Sequence, residues 1–154
     1  MESMRSLQLL LQHEQRQCDE AQAVLLRADQ AARRAHEQRD QLVAYRGEYE
    51  ARWSAQFRSG SAVQIVLHYR SFMQRLDQAV TMQTRQADAA ERHRAQARRS
   101  LLDCERRLAA VRKLLERRGA ELARLGRQRE QKLTDEQAQR MRWRNTQRDQ
   151  LLPQ

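Results

Sequence analysis

The sequence predicts an all-α fold, an antiparallel two-helix coiled-coil hairpin whose second helix is longer than its first. Three observations carry this prediction. An apolar stripe spaced alternately three and four residues apart runs through each half of the chain. The two stripes mirror each other about Gly60 and Ser61, and turn-forming residues gather only there.

Helix one is expected over about residues 3–57. Its stripe reads Leu7, Leu11, Glu14, Cys18, Ala21, Leu25, Ala28, Ala32, Ala35, Arg39, Leu42, Arg46, Tyr49, with Met4 before it and Trp53 and Phe57 after it. The turn is Arg58-Ser59-Gly60-Ser61-Ala62, over residues 58–62. Ser61 can cap the next helix through its side-chain oxygen. The turn is not expected to need a positive φ at Gly60, so Gly60→Ala should matter less than a seam truncation. Helix two is expected over about 63–150. Its stripe reads Val66, Tyr69, Met73, Leu76, Val80, Gln83, Ala87, Ala90, Arg94, Ala97, Leu101, Cys104, Leu108, Val111, Leu115. Paired stripe positions add to 122, so Leu11 meets Val111, Cys18 meets Cys104 and Leu42 meets Val80. Residues 1–154 therefore read as a single hairpin domain. At roughly 1.5 Å per residue its paired part would be about 85 Å long.

The mirror of residue 1 is residue 121, so the chain from about Gly119 has no partner in the hairpin. Thr134-Asp135-Glu136-Gln137 has the form of a capping box, which predicts a helix restart there. A polar segment of this kind should fray in isolation. Its unpaired Leu122, Leu125, Leu133, Met141 and Trp143 suggest docking onto another molecule.

Composition excludes a globular interior. Aromatics are 5% of the chain, charged residues 32%, and the mean hydropathy is −1.00, which suits the thin seam of a coil. The net charge of +10 arises wholly after residue 58, where 21 basic residues face 11 acidic ones. Segment 92–118 is the most basic, with 10 basic and 3 acidic side chains. A solvated helix face, a surface for an acidic protein and a nucleic-acid site are the three readings of that charge. Against nucleic acid, acids are interleaved with the arginines and no stacking aromatics accompany them. Arg39, Arg46 and Arg94 occupy seam positions and should weaken the seam locally, with their stems laid along it.

Catalysis is not expected. His13, His36, His68 and His93 have no ligand-type partner at helical spacing, no phosphate loop is present, and a thin coil offers no concave pocket. No metal and no cofactor is predicted, and no small-molecule substrate. Two cysteines cannot form a disulfide scaffold; Cys18 and Cys104 read as small buried residues of one seam layer. No signal peptide or membrane span is evident, which predicts a cytoplasmic chain with free thiols.

A second stripe lies beside the seam. Gln38, Leu42, Tyr45 and Tyr49 in helix one mirror Phe72, Leu76, Ala79 and Gln83 in helix two at a sum of 121. Gln38, Tyr45, Phe72 and Ala79 fall on heptad g positions, and in an antiparallel pair both g edges lie on one side. The surplus either thickens the core or emerges as an aromatic docking patch, and the docking reading is preferred.

The segment Leu42-Val43-Ala44-Tyr45-Arg46-Gly47-Glu48-Tyr49 is followed by Gly60. Then come Tyr69-x-x-Phe72-x-x-x-Leu76-x-x-Ala79-x-x-x-Gln83 and Glu130-Gln131-Lys132-Leu133-Thr134-Asp135-Glu136. In this order the pieces resemble the FliJ family, the coiled-coil component of bacterial flagellar type III export. The tail from Met141 has no counterpart in the resemblance. The resemblance implies a part like the central stalk of a rotary ATPase. It implies three partners: the hexameric flagellar export ATPase, the cytoplasmic domain of the membrane export gate, and export chaperones. It implies a place at the inner face of the membrane. It makes Gln38, Leu42, Tyr45, Tyr49, Phe72, Leu76, Ala79 and Gln83 the gate-binding patch. In this reading Arg112, Lys113, Arg117, Arg118 and Arg124 face acidic loops of the ATPase ring. A Tyr45, Phe72 and Leu76 triple alanine variant is expected to keep its helicity and lose gate binding. An injectisome stalk and a basic nucleic-acid-binding coiled coil are the alternatives.

Overall fold

A computed structural model describes residues 2–152. Helix α1 spans Glu2–Arg58 and α2 spans Val63–Gln150, 57 and 88 residues long. No strand occurs among the described residues. The fold is all-α with the second helix longer, as the mirrored stripes predict. Pro153, the one proline of the chain, lies outside the described residues. Both helices are dominated by alanine, leucine, arginine, glutamine and glutamate, which lose little freedom on becoming helical.

The turn differs from expectation in two ways. Gly60 stands at φ +89°, a left-handed conformation in which an added Cβ is strained. Its amide donates to the Phe57 carbonyl (3.2 Å), closing the end of α1 in the manner of a glycine cap. The turn does need a positive φ, contrary to the sequence reading, and replacing Gly60 costs backbone strain of roughly 1–2 kcal/mol, still less than a seam truncation. The first cap of α2 is Ala62, not Ser61. The Ala62 carbonyl accepts from the amides of Ile65 and Val66. On the other side, Ser59 Oγ donates to the Gln56 carbonyl (2.8 Å) and holds the last turn of α1.

Two compact units divide the chain. The Glu14–Arg107 unit contains the turn and the facing parts of both helices. Its cross-helix contacts keep a nearly constant index sum, which only antiparallel helices give: Arg46 with Asp77, Arg94 with Asp29, Gln83 with Gln38 and Glu14 with Arg107. Every stripe residue in it is buried or half-buried. Cys18, Ala28, Ala32, Met73, Leu76, Ala87, Ala97 and Cys104 are the buried ones, and Ala32 and Ala87 are completely covered. The middle of this seam is thus built from the smallest side chain that still has a Cβ.

Polar residues on the seam obey a rule that the sequence reading lacked. At a positions they reach an e position of the other helix, and the indices add to 123; at d positions they reach a g position, and the indices add to 121. Arg94 Nε meets Asp29 Oδ1 at 2.9 Å, and Arg46 Nε meets Asp77 Oδ1. Glu14 accepts from Arg107 Nε at 3.3 Å, and Gln83 Nε2 donates to Gln38 Oε1 at 3.2 Å. Arg39 is the instructive exception. Its e counterpart, at a sum of 123, is Thr84, which has no charge and bonds the Val80 carbonyl of its own helix. Arg39 turns instead to its neighbour Asp40 at 3.0 Å. Seam arginines therefore find an ion-pair partner where an acid stands at the right offset.

The second unit comprises Met1–His13 with Leu108–Gln154. Leu108 and Val111 are buried, and Leu7, Leu11 and Leu115 are half-buried. From Ala120 to Leu152 every described residue is exposed. Even so, α2 runs unbroken to Gln150. The expected helix restart at Thr134 does not occur: its hydroxyl donates back to the Glu130 carbonyl (2.8 Å), a bond made within a continuing helix. The restart fails because no glycine or proline interrupts residues 127–150 to create an end that needs a cap.

Candidate functional site

Six of the seven aromatic residues of this chain lie between Tyr45 and Phe72. Helical spacing of four on α1 carries Tyr45, Tyr49, Trp53 and Phe57 across the seam, from the g edge through d and a to the e edge, so each ring meets the next. The Tyr45 and Tyr49 ring centroids are 6.1 Å apart, Tyr49 and Trp53 5.9 Å, and Trp53 and Phe57 5.5 Å. Helix α2 closes the cluster from the other side. Phe72 lies 4.5 Å from Tyr49, and Tyr69 touches Tyr49, Trp53 and Phe57 at 6.1, 6.1 and 5.1 Å. Such offset and edge contacts each add about 0.5–1.5 kcal/mol beyond area burial.

The sequence-predicted patch falls into two layers here. Gln38 and Tyr45 are exposed, with Tyr45 48% open. Leu42, Tyr49, Phe72, Ala79 and Gln83 are half-buried, and Leu76 is 8% exposed in the seam. Gln83 Nε2 also donates to the Ala35 carbonyl at 3.3 Å, which ties that end of the patch to the backbone. The outward surface is thus Tyr45 lying on a Tyr49–Phe72 base, with Gln38 one turn and three residues before it. Because Leu76 belongs to the core, an alanine there removes packing. The expectation that a triple alanine variant keeps its helicity is corrected accordingly.

A shallow groove continues the aromatic cluster toward the turn, lined by Trp53, Ile65, His68, Tyr69, Phe72 and Arg75. Sequence reasoning missed Trp53, Phe57 and Tyr69 as parts of one site. The crowding of six aromatics into 28 residues was the available signal. It also missed the carboxylates beside the patch. Asp77 accepts from Arg46 and holds that guanidinium above its ordinary pKa, first by the hydrogen bond and then by charge. Glu50 adds a contact to Arg46 at 3.2 Å. Arg46 thus stays charged next to the patch at any physiological pH.

The five basic residues Arg112, Lys113, Arg117, Arg118 and Arg124 are all exposed, on the α2 part of the second unit. They are spread around the helix rather than along one line, as their index spacing of 1, 4, 1 and 6 requires.

Cys18 and Cys104 are both free and buried. Arg107 Nη2 donates to Cys104 Sγ at 3.1 Å and is itself held by Glu14. Burial, then the neighbouring Cys104, pushes the Cys18 thiol above its ordinary pKa. Among the described residues no group of three or more metal-ligating side chains converges, and no helix is long and apolar enough to cross a membrane.

A family model described as Flagellar FliJ protein matches residues 3–147. The chain belongs to the FliJ family. No curated protein and no solved structure matches it. As a FliJ-family chain it is a coiled-coil protein associated with flagellar export. Membership extends past Met141, into the tail that the motif resemblance left unmatched. In this FliJ-family chain the aromatic cluster, the polar seam pairs and the exposed arginines are therefore features of an export-apparatus component.

Proposed function

We propose that this FliJ-family chain is a stalk that links the export ATPase ring to the membrane export gate and escorts export chaperones. The basic residues Arg112, Lys113, Arg117, Arg118 and Arg124 meet the ATPase. The patch around Tyr45, with Gln38, Leu42, Tyr49, Phe72, Ala79 and Gln83 over the buried Leu76 that supports it, meets the cytoplasmic domain of the gate. It acts in the cytoplasm, at the inner face of the membrane.

The observation that carries this reading is the exposed Tyr45 ring on its rigid aromatic base. A large ring presented without loss of freedom is what a docking hot spot needs. The individual arginine contacts to an acidic ring lining would be weak, about 0–1 kcal/mol each when exposed. Weak, exchangeable contacts suit a stalk that must accommodate unequal subunits around it.

The test is co-purification of the full chain with the export ATPase and with the cytoplasmic part of the gate. Tyr45→Ala should cost no more than the stack on Tyr49, about 0.5–1.5 kcal/mol, and leave the chain folded, yet abolish gate capture and motility. Gate capture that survives Tyr45→Ala would remove the patch from the reading. Arg117→Gln with Arg118→Gln and Arg124→Gln should reduce ATPase capture and spare the gate. The flagellar family match favours the flagellar apparatus over an injectisome. A nucleic-acid reading would need a steep salt dependence in a filter-binding titration.

A further inference from the structure

From Glu50 to Asp77 the chain runs through 26 residues without a single carboxylate. The next longest acid-free stretch between two carboxylates, residues 137–148, is 12 residues. This segment is the turn end of the Glu14–Arg107 unit. It carries Arg52, Arg58, Arg70 and Arg75, all exposed. With His68 neutral the local charge is +4, with no carboxylate inside the segment to offset it.

The same end is apolar where the seam does not require it. Val63 is 76% exposed, Leu67 58% and Ile65 39%, three aliphatic side chains in little more than one helical turn. Behind them stand Trp53 and Tyr69, ring types enriched at membrane–water interfaces because one edge is apolar and the other is wet.

We propose that the turn end of this unit binds the surface of an anionic phospholipid membrane, end-on, with Val63, Ile65 and Leu67 entering the headgroup layer and Arg52, Arg58 and Arg70 pairing with lipid phosphates. The arrangement of charge favours a plane over a protein groove. Arg52 precedes the seam position Trp53 and lies on the g edge; Arg70 follows the seam position Tyr69 and lies on the e edge. In an antiparallel pair these edges are on opposite sides. Arg58 ends α1, and Arg75 stands away from both edges at a c position. A partner that docks face-on would read one side and leave the others idle. A flat anionic surface met by the end of the hairpin is reached by Arg52, Arg58 and Arg70 together, while Arg75, about 18 Å along α2 from Val63, stands behind them.

Each arginine near an anionic leaflet contributes about fivefold to partitioning, and the attraction decays within about 10 Å at 0.1 M salt. The aliphatic side chains add the salt-insensitive part. This inference stands apart from gate binding, because Tyr45 is not among its residues.

The experiment is co-sedimentation of the full chain with phosphatidylcholine vesicles and with vesicles containing one part in four phosphatidylglycerol. Binding is expected only to the anionic vesicles, weakened but not abolished by high salt. Replacing Arg52, Arg58, Arg70 and Arg75 together with glutamine should lower partitioning on the order of a hundredfold or more. Replacing Arg140, Arg142, Arg144 and Arg148 in the same way should leave it nearly unchanged. Val63→Ser with Leu67→Ser, both exposed and safe for the fold, should remove the salt-resistant fraction. Trp143→Phe leaves Trp53 as the one indole; its emission should shift to the blue and be quenched by brominated lipid. No anionic binding, equal loss in the two arginine quartets, or an unquenched Trp53 would overturn the proposal. So would tight binding to polyglutamate without vesicle binding, which would assign the end to an acidic protein instead.

Discussion

The seam of the Glu14–Arg107 unit and the stretch of α2 beyond Gly119 are both continuous helix and both rich in arginine. They differ in what covers them. In the first, every third or fourth residue is shielded by the facing helix; in the second, every described residue is open to water. The difference teaches that helicity and burial are separate consequences of sequence here. Helicity follows from residue type, because good helix formers fill both regions and neither glycine nor proline interrupts residues 127–150. Coverage follows from the mirror, which stops supplying partners near residue 121.

The contrast is broken most sharply by matched truncations. Leu76→Ala, in the covered seam, should cost roughly 2–5 kcal/mol. Leu133→Ala, 60% exposed in the extension, should change stability by no more than about 0.5 kcal/mol. Urea melts followed by circular dichroism compare the two; equal shifts would mean that the extension is held by something it covers.

A smaller effect is expected from the seam ion pair. Asp29 Oδ1 and Arg94 Nε are shut off from solvent and lie 2.9 Å apart, paired by charge rather than by a well-aligned hydrogen bond. Asp29→Ala should cost about 1–3 kcal/mol, because the Arg94 nitrogen is left buried without its acid. Arg144→Ala in the extension should cost nothing measurable in the same melts.

The smallest effect is titratable. The Cys18 thiol is held protonated by burial and by Cys104, so its folded pKa lies above that of the unfolded chain. Above about pH 8.5 the unfolded thiol loses its proton while the folded one keeps it. The stabilisation from Cys18 is thus complete below that pH and declines as pH rises through the folded value. Melting temperature should fall over this alkaline window, and Cys18→Ala should flatten the fall relative to the parent. An identical slope in both proteins would show that other groups set it.

Much of this was legible beforehand for a definite reason. A seam of period 3.5 forces its members to one face, so Leu25, Ala32 or Leu108 could be placed under cover from spacing alone. The acids Asp29 and Asp77 were not, because they stand one residue off the stripe and look like ordinary solvated charges until the offset between a and e positions is applied. The positive φ of Gly60 escaped because turn residues report that a bend exists, not its handedness. Thr134 misled because a capping box and an i−4 back-bond use the same hydroxyl. The site was half legible: Tyr45 and Phe72 stood out by spacing, whereas Trp53 and Tyr69 were absorbed into the stripe and their ring contacts went unseen.

The alanine-lined middle of the hairpin carries one more implication. Flat, identical methyls interlock poorly, so a slip of one heptad between the strands of the coil would find almost the same fit. Such a slip would set Arg46 against Thr84 and Arg94 against His36, stripping both guanidiniums of their acids. Alignment of the two halves is therefore indexed by three charged pins, Asp29, Asp77 and Glu14, and not by the shape of the interior. A molecule keyed in this way can keep its middle slim and still have only one way to close.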